Sequence, residues 1–251
     1  PGESAAEHKE RRRQAYFHEQ RQNNIEWFKR MDFPFDVSGL RVLDLGCGHG
    51  ALSISLAERG AAEVIGLDLD DDRIDFANRT LQTSFPELQN RIQFQCENVF
   101  NLQDQFDLIV SKDAFEHIED LSGVIRHLHA LLKPGGHLAP GFSPLYFSPF
   151  GDHARFAMKV PWAHALIPEP MALRWLKSRT GKDANSSMDL GLNRLTPKEF
   201  RAIFDDTSAW DNVRIQYNRG DNRFFPVFNA LRRVQPLERF FTTSIYKKQR
   251  L

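Results

Sequence analysis

From Pro34 onward, short apolar runs alternate with longer stretches in which apolar residues recur every three or four positions. The runs predict strands at 41–45, 63–68, 91–96, 106–111 and 136–140, and the helical spacing fills the gaps at 51–59, 71–83 and 121–132. Short apolar strands joined by crossover helices imply a parallel sheet covered on both faces. The turn formers Lys133, Pro134, Gly135 and Gly136 are expected to stop the last of these helices sharply before the next strand.

Either side of this series the pattern differs. Residues 3–29 are strongly polar, with Tyr16, Phe17, Trp27 and Phe28 as their main apolar anchors, and read as one or two surface helices. The charge run from Lys9 to Arg13 is expected to be a solvated helical face. From Phe142 to Thr196 the sheet rhythm stops, and aromatics and prolines accumulate, among them Phe142, Tyr146, Phe150, Phe156, Trp162 and Trp175. A structureless loop of that length is improbable in a compact domain, so a partly helical insertion is expected, with a polar, mobile portion at 174–185. Thr196, Pro197 and Glu199 form a good helix start, because threonine caps, proline suits the first helical position and glutamate follows at the capping-box spacing. Residues 212–217 and 242–248 alternate like strands, with a basic, helix-like segment at 224–239 between them.

Composition narrows the function class. The chain has 251 residues, with 33 basic and 33 acidic side chains, so no global field draws it to nucleic acid or to an anionic membrane. The two cysteines, Cys47 and Cys96, have no metal-ligand spacing and fit a reducing compartment. The apolar runs are too short to span a bilayer, and the N-terminal residues carry no signal-peptide core, so a cytoplasmic location is expected.

The segment Val42-Leu43-Asp44-Leu45-Gly46-Cys47-Gly48-His49-Gly50 runs from a buried strand into a helix. Its alternate glycines let the backbone turn sharply and approach a ligand closely. Their spacing differs from the dinucleotide pattern, in which the third glycine falls one residue later. Asp68 closes the next strand, where a carboxylate can accept hydrogen bonds from both hydroxyls of a ribose. Together "VLDLGCGHG", "VIGLDLD" and "LLKPGGHL" resemble the motif series of class I methyltransferases, over 39–140. The resemblance implies a doubly wound, mostly parallel seven-stranded α/β sheet with helices on both faces, an antiparallel last strand and an insertion after the fifth strand forming a cap. It divides the chain into a helical extension (1–36), a Rossmann-like cofactor core (37–141), a substrate cap (142–196) and a C-terminal completion of the sheet (197–251). The implied cofactor is S-adenosyl-L-methionine. Gly46, Gly48 and Gly50 would line its amino-acid end, with Asp44 at its ammonium, Asp68 on the ribose and Leu69 beside the adenine. Asn98 would receive the adenine amino group, with Glu97 as the one-residue alternative, and Val99 beside it would also line the cofactor. Cys47 reads as a small turn residue.

The reaction is an in-line displacement, so the protein has to align the acceptor, exclude water and, for a hydroxyl or protonated amine, remove a proton. The segment Ser111 to Asp120 resembles the "LEHI"-like stretch of quinone-biosynthesis O-methyltransferases, which places Asp113 and His117 nearest the cofactor. His117 has a suitable pKa for a base. Asp152 and His153 form a second candidate, a carboxylate beside an imidazole in a turn of the insertion. The base is thus His117, His153 or neither, and no metal is expected from Asp152, His153 and His164. The insertion's aromatic and aliphatic character points to a small, apolar or aromatic acceptor, lipid-like tails included, with oxygen as the expected atom. The basic stretch 214–250 leaves peripheral membrane contact open, while nucleic acid is disfavoured. A nicotinamide-dependent oxidoreductase on a related fold and a cofactor-binding protein without turnover are the competing readings.

Overall fold

The computed structural model describes residues 4–31, 36–205 and 210–250. Parts of two expected segments therefore lie outside the described residues, namely 1–3 and 32–35 of the N-terminal extension and 206–209 and 251 of the C-terminal completion. The chain divides into two compact units. One comprises 1–112, 127–139 and 250–251, and the other 113–126 and 140–249.

In the first unit, α1 (Ala5–Met31) opens with a reciprocal cap, Ser4 N donating to Glu7 Oε2 at 2.7 Å and Glu7 N to Ser4 Oγ at 3.2 Å. Its C-terminal half is no mere surface helix. It buries Phe17, Asn24, Trp27, Phe28 and Met31, and packs on α2 (Ala51–Glu58). The strands β1 (Arg41–Leu45), β2 (Glu63–Asp68), β3 (Ile92–Cys96) and β4 (Phe106–Lys112) follow, with α3 (Asp71–Ser84) between β2 and β3. β1 pairs in parallel with both β2 and β4, and β2 with β3, which requires the crossovers that α2 and α3 supply. Val42, Leu43, Val64, Leu108, Ile109 and Val110 are all fully buried, as strands covered on both faces must be.

α4 (Leu121–Ala130) and β5 (Leu132–Phe142) contribute residues to both units. The expected stop at Lys133–Gly136 is corrected here, because α4 ends at Ala130 and the proline-glycine stretch is already strand. Neighbouring β4 draws it in. Phe106 N donates to Leu131 O at 2.8 Å, and Lys133 Nζ reaches both oxygens of Asp107 at 2.9 and 3.0 Å. Gly136 has to be glycine, since a Cβ there would lie 2.8 Å from Lys133 O.

The second unit holds α5 (Ala163–Leu166), α6 (Glu169–Thr180), α7 (Pro197–Asp205), β6 (Asp211–Tyr217), α8 (Phe225–Leu231), α9 (Glu238–Phe241) and β7 (Ile245–Arg250), the last of which ends in the first unit. The insertion is partly helical with a small core of its own, formed by Tyr146, Phe156, Ala172, Leu176, Leu190 and Leu192. Its polar 174–185 portion begins inside α6, which ends at Gly181 with φ +72°. The helix-like segment expected at 224–239 forms two helices, α8 and α9, with Pro236 between them, which supplies no N–H to a continuous helix. The seven strands follow the order β3-β2-β1-β4-β5-β7-β6. β7 runs antiparallel to β5, for Thr243, before β7, bonds Leu145, after β5, whereas Arg250 at the end of β7 lies beside Gly135 near the start of β5. Among the described residues no helix is long and apolar enough to cross a membrane.

Candidate functional site

The first unit carries the glycine turn between β1 and α2. The amides of Gly46 and Cys47 both donate to Leu67 O, at 2.7 and 3.0 Å, which ties the turn to the end of β2. Gly46, Gly48 and Gly50 all have left-handed backbones, at φ +76°, +54° and +82°. The room around them differs. A Cβ on Gly50 would lie 2.5 Å from Phe94 Cζ, whereas a Cβ on Gly48 would meet nothing within 4 Å. Gly50 therefore serves internal packing, while Gly48 presents open backbone.

Asp44 is buried beneath this turn, and its Oδ2 accepts from Ser53 Oγ at 2.6 Å. Burial raises its pKa to about 6, against the lowering effects of the Ser53 hydrogen bond and of nearby Lys112. A buried carboxylate with so little compensation is suited to a cationic ligand. Asp68 braces the same turn, as its Oδ2 accepts from Gly48 N at 2.9 Å and its Oδ1 from Asp70 N at 3.0 Å. Leu69 beside it is 74% exposed, an apolar side chain left in the open. Of the two residues weighed after β3, Asn98 caps a helical turn by accepting from Phe100 N at 3.1 Å. Glu97 Oε1 accepts from Asn98 N at 2.7 Å and from Asn101 Nδ2 at 2.6 Å, which holds its pKa low. Both side chains are exposed and Val99 is buried. Cys47 is buried with a pKa pushed up by desolvation, so it stays a thiol.

The second unit carries the residues after β4. Asp113 has a left-handed backbone at φ +53°, donates its N–H to Gly141 O at 2.9 Å and accepts from Ser143 N at 3.1 Å through Oδ1, so it joins this turn to the segment after β5. Phe115–His117 form one helical turn, pinned by Asn193, whose Nδ2 donates to Phe115 O at 2.7 Å and to Ile118 O at 3.0 Å. His117 Nδ1 lies 2.5 Å from Gly191 O, and His153 Nε2 lies 2.9 Å from Pro144 O. A carbonyl only accepts, so each of these nitrogens carries the proton of its bond. Burial, and then the neighbouring His117, lowers the pKa of His153 to about 4.

Asp152 does not orient His153. It is buried, accepts from Phe156 N at 3.3 Å through Oδ2 and places Oδ1 3.7 Å from Nδ1 of His164. His164 is buried in turn, with Nε2 2.6 Å from Tyr146 O, so Asp152 and His164 belong to the insertion's interior. Glu116 takes the place beside the two imidazoles. Glu116, His117 and His153 each offer an atom within 4.8 Å of the others. Its carboxyl group is buried without a hydrogen-bond partner for either oxygen, and desolvation together with the charge of Asp113 drives its pKa well above the usual carboxylate range. Sequence reasoning singled out neither Glu116 nor Lys112, although both lie in the stretch it quoted. Apolar neighbours in sequence do not reveal which carboxylate faces inward.

Residues 36–141 match the family described as "Methyltransferase domain". Ubiquinone biosynthesis O-methyltransferases are similar over a stretch of comparable length. The one from Coxiella burnetii is 35% identical over 113 residues, covering 44% of this chain and 46% of the relative, and the one from Aeromonas salmonicida is 35% identical over 111 residues, 43% and 46%. The chain thus spans a little under half the length of these curated relatives. Among solved structures, an S-adenosylmethionine-dependent methyltransferase from Mesorhizobium loti superposes with a TM-score of 0.56 at 22% identity, over 90% of this chain and 97% of that one. Magnesium protoporphyrin IX methyltransferase from Synechocystis PCC 6803, with bound S-adenosylhomocysteine, gives 0.54 at 20%, over 100% and 88%. These likenesses extend the shared fold beyond the matched domain.

Proposed function

We propose that this chain, whose residues 36–141 match a methyltransferase domain, is a class I S-adenosylmethionine-dependent methyltransferase that transfers the methyl group of S-adenosylmethionine to an oxygen of a small, largely apolar or aromatic acceptor. The observation that carries the reading is the glycine turn itself, where a buried carboxylate, Asp44, lies beneath backbone that Gly48 leaves open and Asp68 holds in place. These residues fit the cofactor. Asp44 would hold its ammonium, Gly46 and Gly48 its amino-acid chain, Asp68 its ribose and Leu69 the face of its adenine, with Asn98 or Glu97 at the adenine amino group. When bound, the cofactor would supply an electrophilic methyl on a sulfonium, whose carbon–sulfur bond breaks to leave a neutral thioether.

Oxygen as the acceptor atom is supported by the O-methyltransferases that the domain is similar to. It also agrees with the two imidazoles, each held in place by a backbone carbonyl. In this reading the hydroxyl's proton passes to His117 or His153 as the oxygen–carbon bond forms. The insertion 142–196 serves as the acceptor cap. Tyr146 and Phe156 are spent on its own core, which leaves exposed Phe150, Val160, Leu166, Met171 and Trp175 as the apolar contacts it can offer.

Calorimetry with S-adenosylhomocysteine and NAD, followed by mass spectrometry of cofactor-loaded protein against quinol, phenol, carboxylic-acid and lipid panels, tests both levels. Binding of the sulfur ligand with a mass gain of one methyl on a hydroxylated acceptor supports the reading. A response to NAD alone refutes it, and cofactor binding with no methylated product from any panel favours a binding protein without turnover.

A further inference from the structure

Besides the histidine pair, the second unit carries an unusual surface on α8 and the turn that follows it. One side of α8 is spent on packing, where Phe228 meets Phe241 at 5.3 Å and Trp162 at 6.3 Å between ring centroids. Trp162 strengthens that seat by donating from Nε1 to Phe240 O at 3.0 Å. Helical hydrogen bonding continues past α8, Arg232 N donating to Phe228 O at 2.9 Å and Val234 N to Leu231 O at 3.0 Å. Val227, Ala230 and Val234 recur at steps of three and four, so they share a face, and Arg223 precedes Val227 by four. A surface helix ordinarily turns polar residues outward, yet Val227 and Val234 are 56% and 53% exposed, and Phe224 at the head of α8 is 50% exposed.

The charge around this face is of one sign. Arg223, Arg232, Arg233 and Arg239 accompany it, and from Asn222 to Leu251 Glu238 is the only carboxylate side chain in the sequence. Glu238 is buried and taken up by Arg201, whose Nη2 donates to its Oε2 at 3.1 Å. Arg223, Arg233 and Arg239 are exposed and, among the described residues, make no ion pair. Arg223 lies over the Phe224 ring at 4.9 Å, which puts a cation beside an exposed aromatic. The chain as a whole balances 33 basic against 33 acidic side chains, so the asymmetry is local to this face.

We propose that this face of α8 and its following turn docks on an anionic lipid surface. A bilayer interface takes both halves of the combination, the guanidinium groups against headgroup phosphates and Phe224, Val227 and Val234 into the boundary of the acyl chains. A nucleic acid would pair the arginines and leave the aliphatic side chains in water, and a second copy of the chain would set arginine against arginine. Trp162 belongs to the insertion, so the docked face adjoins the segment read as the acceptor cap, and a lipid-like acceptor would reach it from the membrane. That last step rests on the acceptor reading given above, whereas the docking surface stands without it.

Cosedimentation of the whole chain with vesicles of phosphatidylcholine, alone or mixed with phosphatidylglycerol, tests the docking. Wild-type protein is expected to bind the mixed vesicles about tenfold or more tightly than the neutral ones, because each basic residue near an anionic surface adds several-fold, and to lose that advantage as salt rises. Two double variants separate the halves of the face, Arg223→Gln with Arg233→Gln and Val227→Ser with Val234→Ser. All four side chains are exposed, so both variants should keep the wild-type melting temperature, and each should bind the mixed vesicles about fivefold or more weakly. Should either pair lower the melting temperature, Arg233→Gln alone and Val227→Ala alone carry the same comparison with smaller losses. Equal binding of wild-type protein to the two kinds of vesicle overturns the proposal. So does wild-type binding by the arginine pair, which would put the contact elsewhere, or by the valine pair, which would leave only attraction between cations and anions. Single-stranded RNA binding or self-association that the same variants abolish, with no binding to vesicles, would give the face to that partner instead. None of these outcomes bears on the cofactor reading, which calorimetry with S-adenosylhomocysteine tests separately.

Discussion

The imidazoles of His117 and His153 meet edge to face, with centroids 4.8 Å apart and planes inclined at 64°. One follows β4 and the other lies within the insertion, so the contact joins two parts of the second unit that are far apart in sequence. Each ring is fixed from behind by a backbone carbonyl, Gly191 for His117 and Pro144 for His153. Neither can rotate to expose a different nitrogen without losing that bond. Burial, and then the neighbouring His117, holds the His153 pKa near 4.

This asymmetry predicts which histidine accepts the proton. A base works best with a pKa near the operating pH, and His153 lies well below neutrality. His117→Ala is expected to lower kcat by ~10²–10⁴-fold, the range for loss of a general base, and His153→Ala by about tenfold through loss of support to its neighbour. Single-turnover rates with a methylated-product readout decide the order. A larger loss in His153→Ala would move the base to the insertion.

Glu116 makes a prediction about stability and pH. Its carboxyl group is buried with no partner for either oxygen, faces Asp113 and lies within reach of His117 and His153. The folded state holds its proton more tightly than the unfolded chain does. Its contribution is therefore complete at low pH and is lost as pH rises from the usual carboxylate range through the raised folded value. His153 has the opposite sign, since its depressed folded pKa weakens the fold as pH falls from about 6.5 towards about 4. Glu116→Gln keeps the shape and removes the titration. Urea denaturation of this variant should show ~1–3 kcal/mol more stability than wild type at alkaline pH, the scale of an unmatched buried polar group, and little difference near pH 4. Parallel pH profiles for the two proteins would contradict this account.

Asp44 should make cofactor binding depend on pH. It must be ionised to meet an ammonium, and burial raises its free-protein pKa to about 6. Affinity for S-adenosylhomocysteine is then level above that value and falls by about tenfold per pH unit below it, because the ligand's own amino-acid groups do not titrate there. Asp44→Asn should bind more weakly and without the step. Calorimetry between pH 5 and 8 on both proteins reads the difference directly.

Much of the core was legible because its signals are local. Asp44, Gly46, Gly48, Gly50 and Asp68 lie within one strand-turn-helix and the end of the next strand, where spacing alone fixes their relation. The cluster around His117 and His153 has no such signal. His117 meets His153, which lies in the insertion, Asn193 pins the turn that carries His117, and Asp152 turns from its sequence neighbour His153 towards His164. Adjacent residues on an irregular turn point in directions that depend on backbone angles, here left-handed at His153 with φ +49°, and composition does not encode those angles. The Lys133–Gly136 stretch misled for a related reason. Proline and glycine were read as a stop, yet pairing with β4 holds them in the strand.

Two glycines of the same turn should separate packing from binding. At Gly50 an added Cβ would press on the Phe94 ring at 2.5 Å, and the backbone stands at φ +82°. Gly50→Ala is thus expected to destabilise the protein by ~2–4 kcal/mol, combining left-handed strain with overpacking. At Gly48 the strain is similar in kind, with φ +54°, but the space is open. Gly48→Ala should cost only ~1–2 kcal/mol of stability while weakening S-adenosylhomocysteine at least tenfold, because the methyl occupies room that the ligand needs. Urea denaturation and calorimetry on the two variants give four numbers. The reading requires that the larger stability loss fall on Gly50→Ala and that, per unit of stability lost, the larger affinity loss fall on Gly48→Ala. If Gly48→Ala bound the ligand as wild type does, the open backbone at this turn would not be where the cofactor lies.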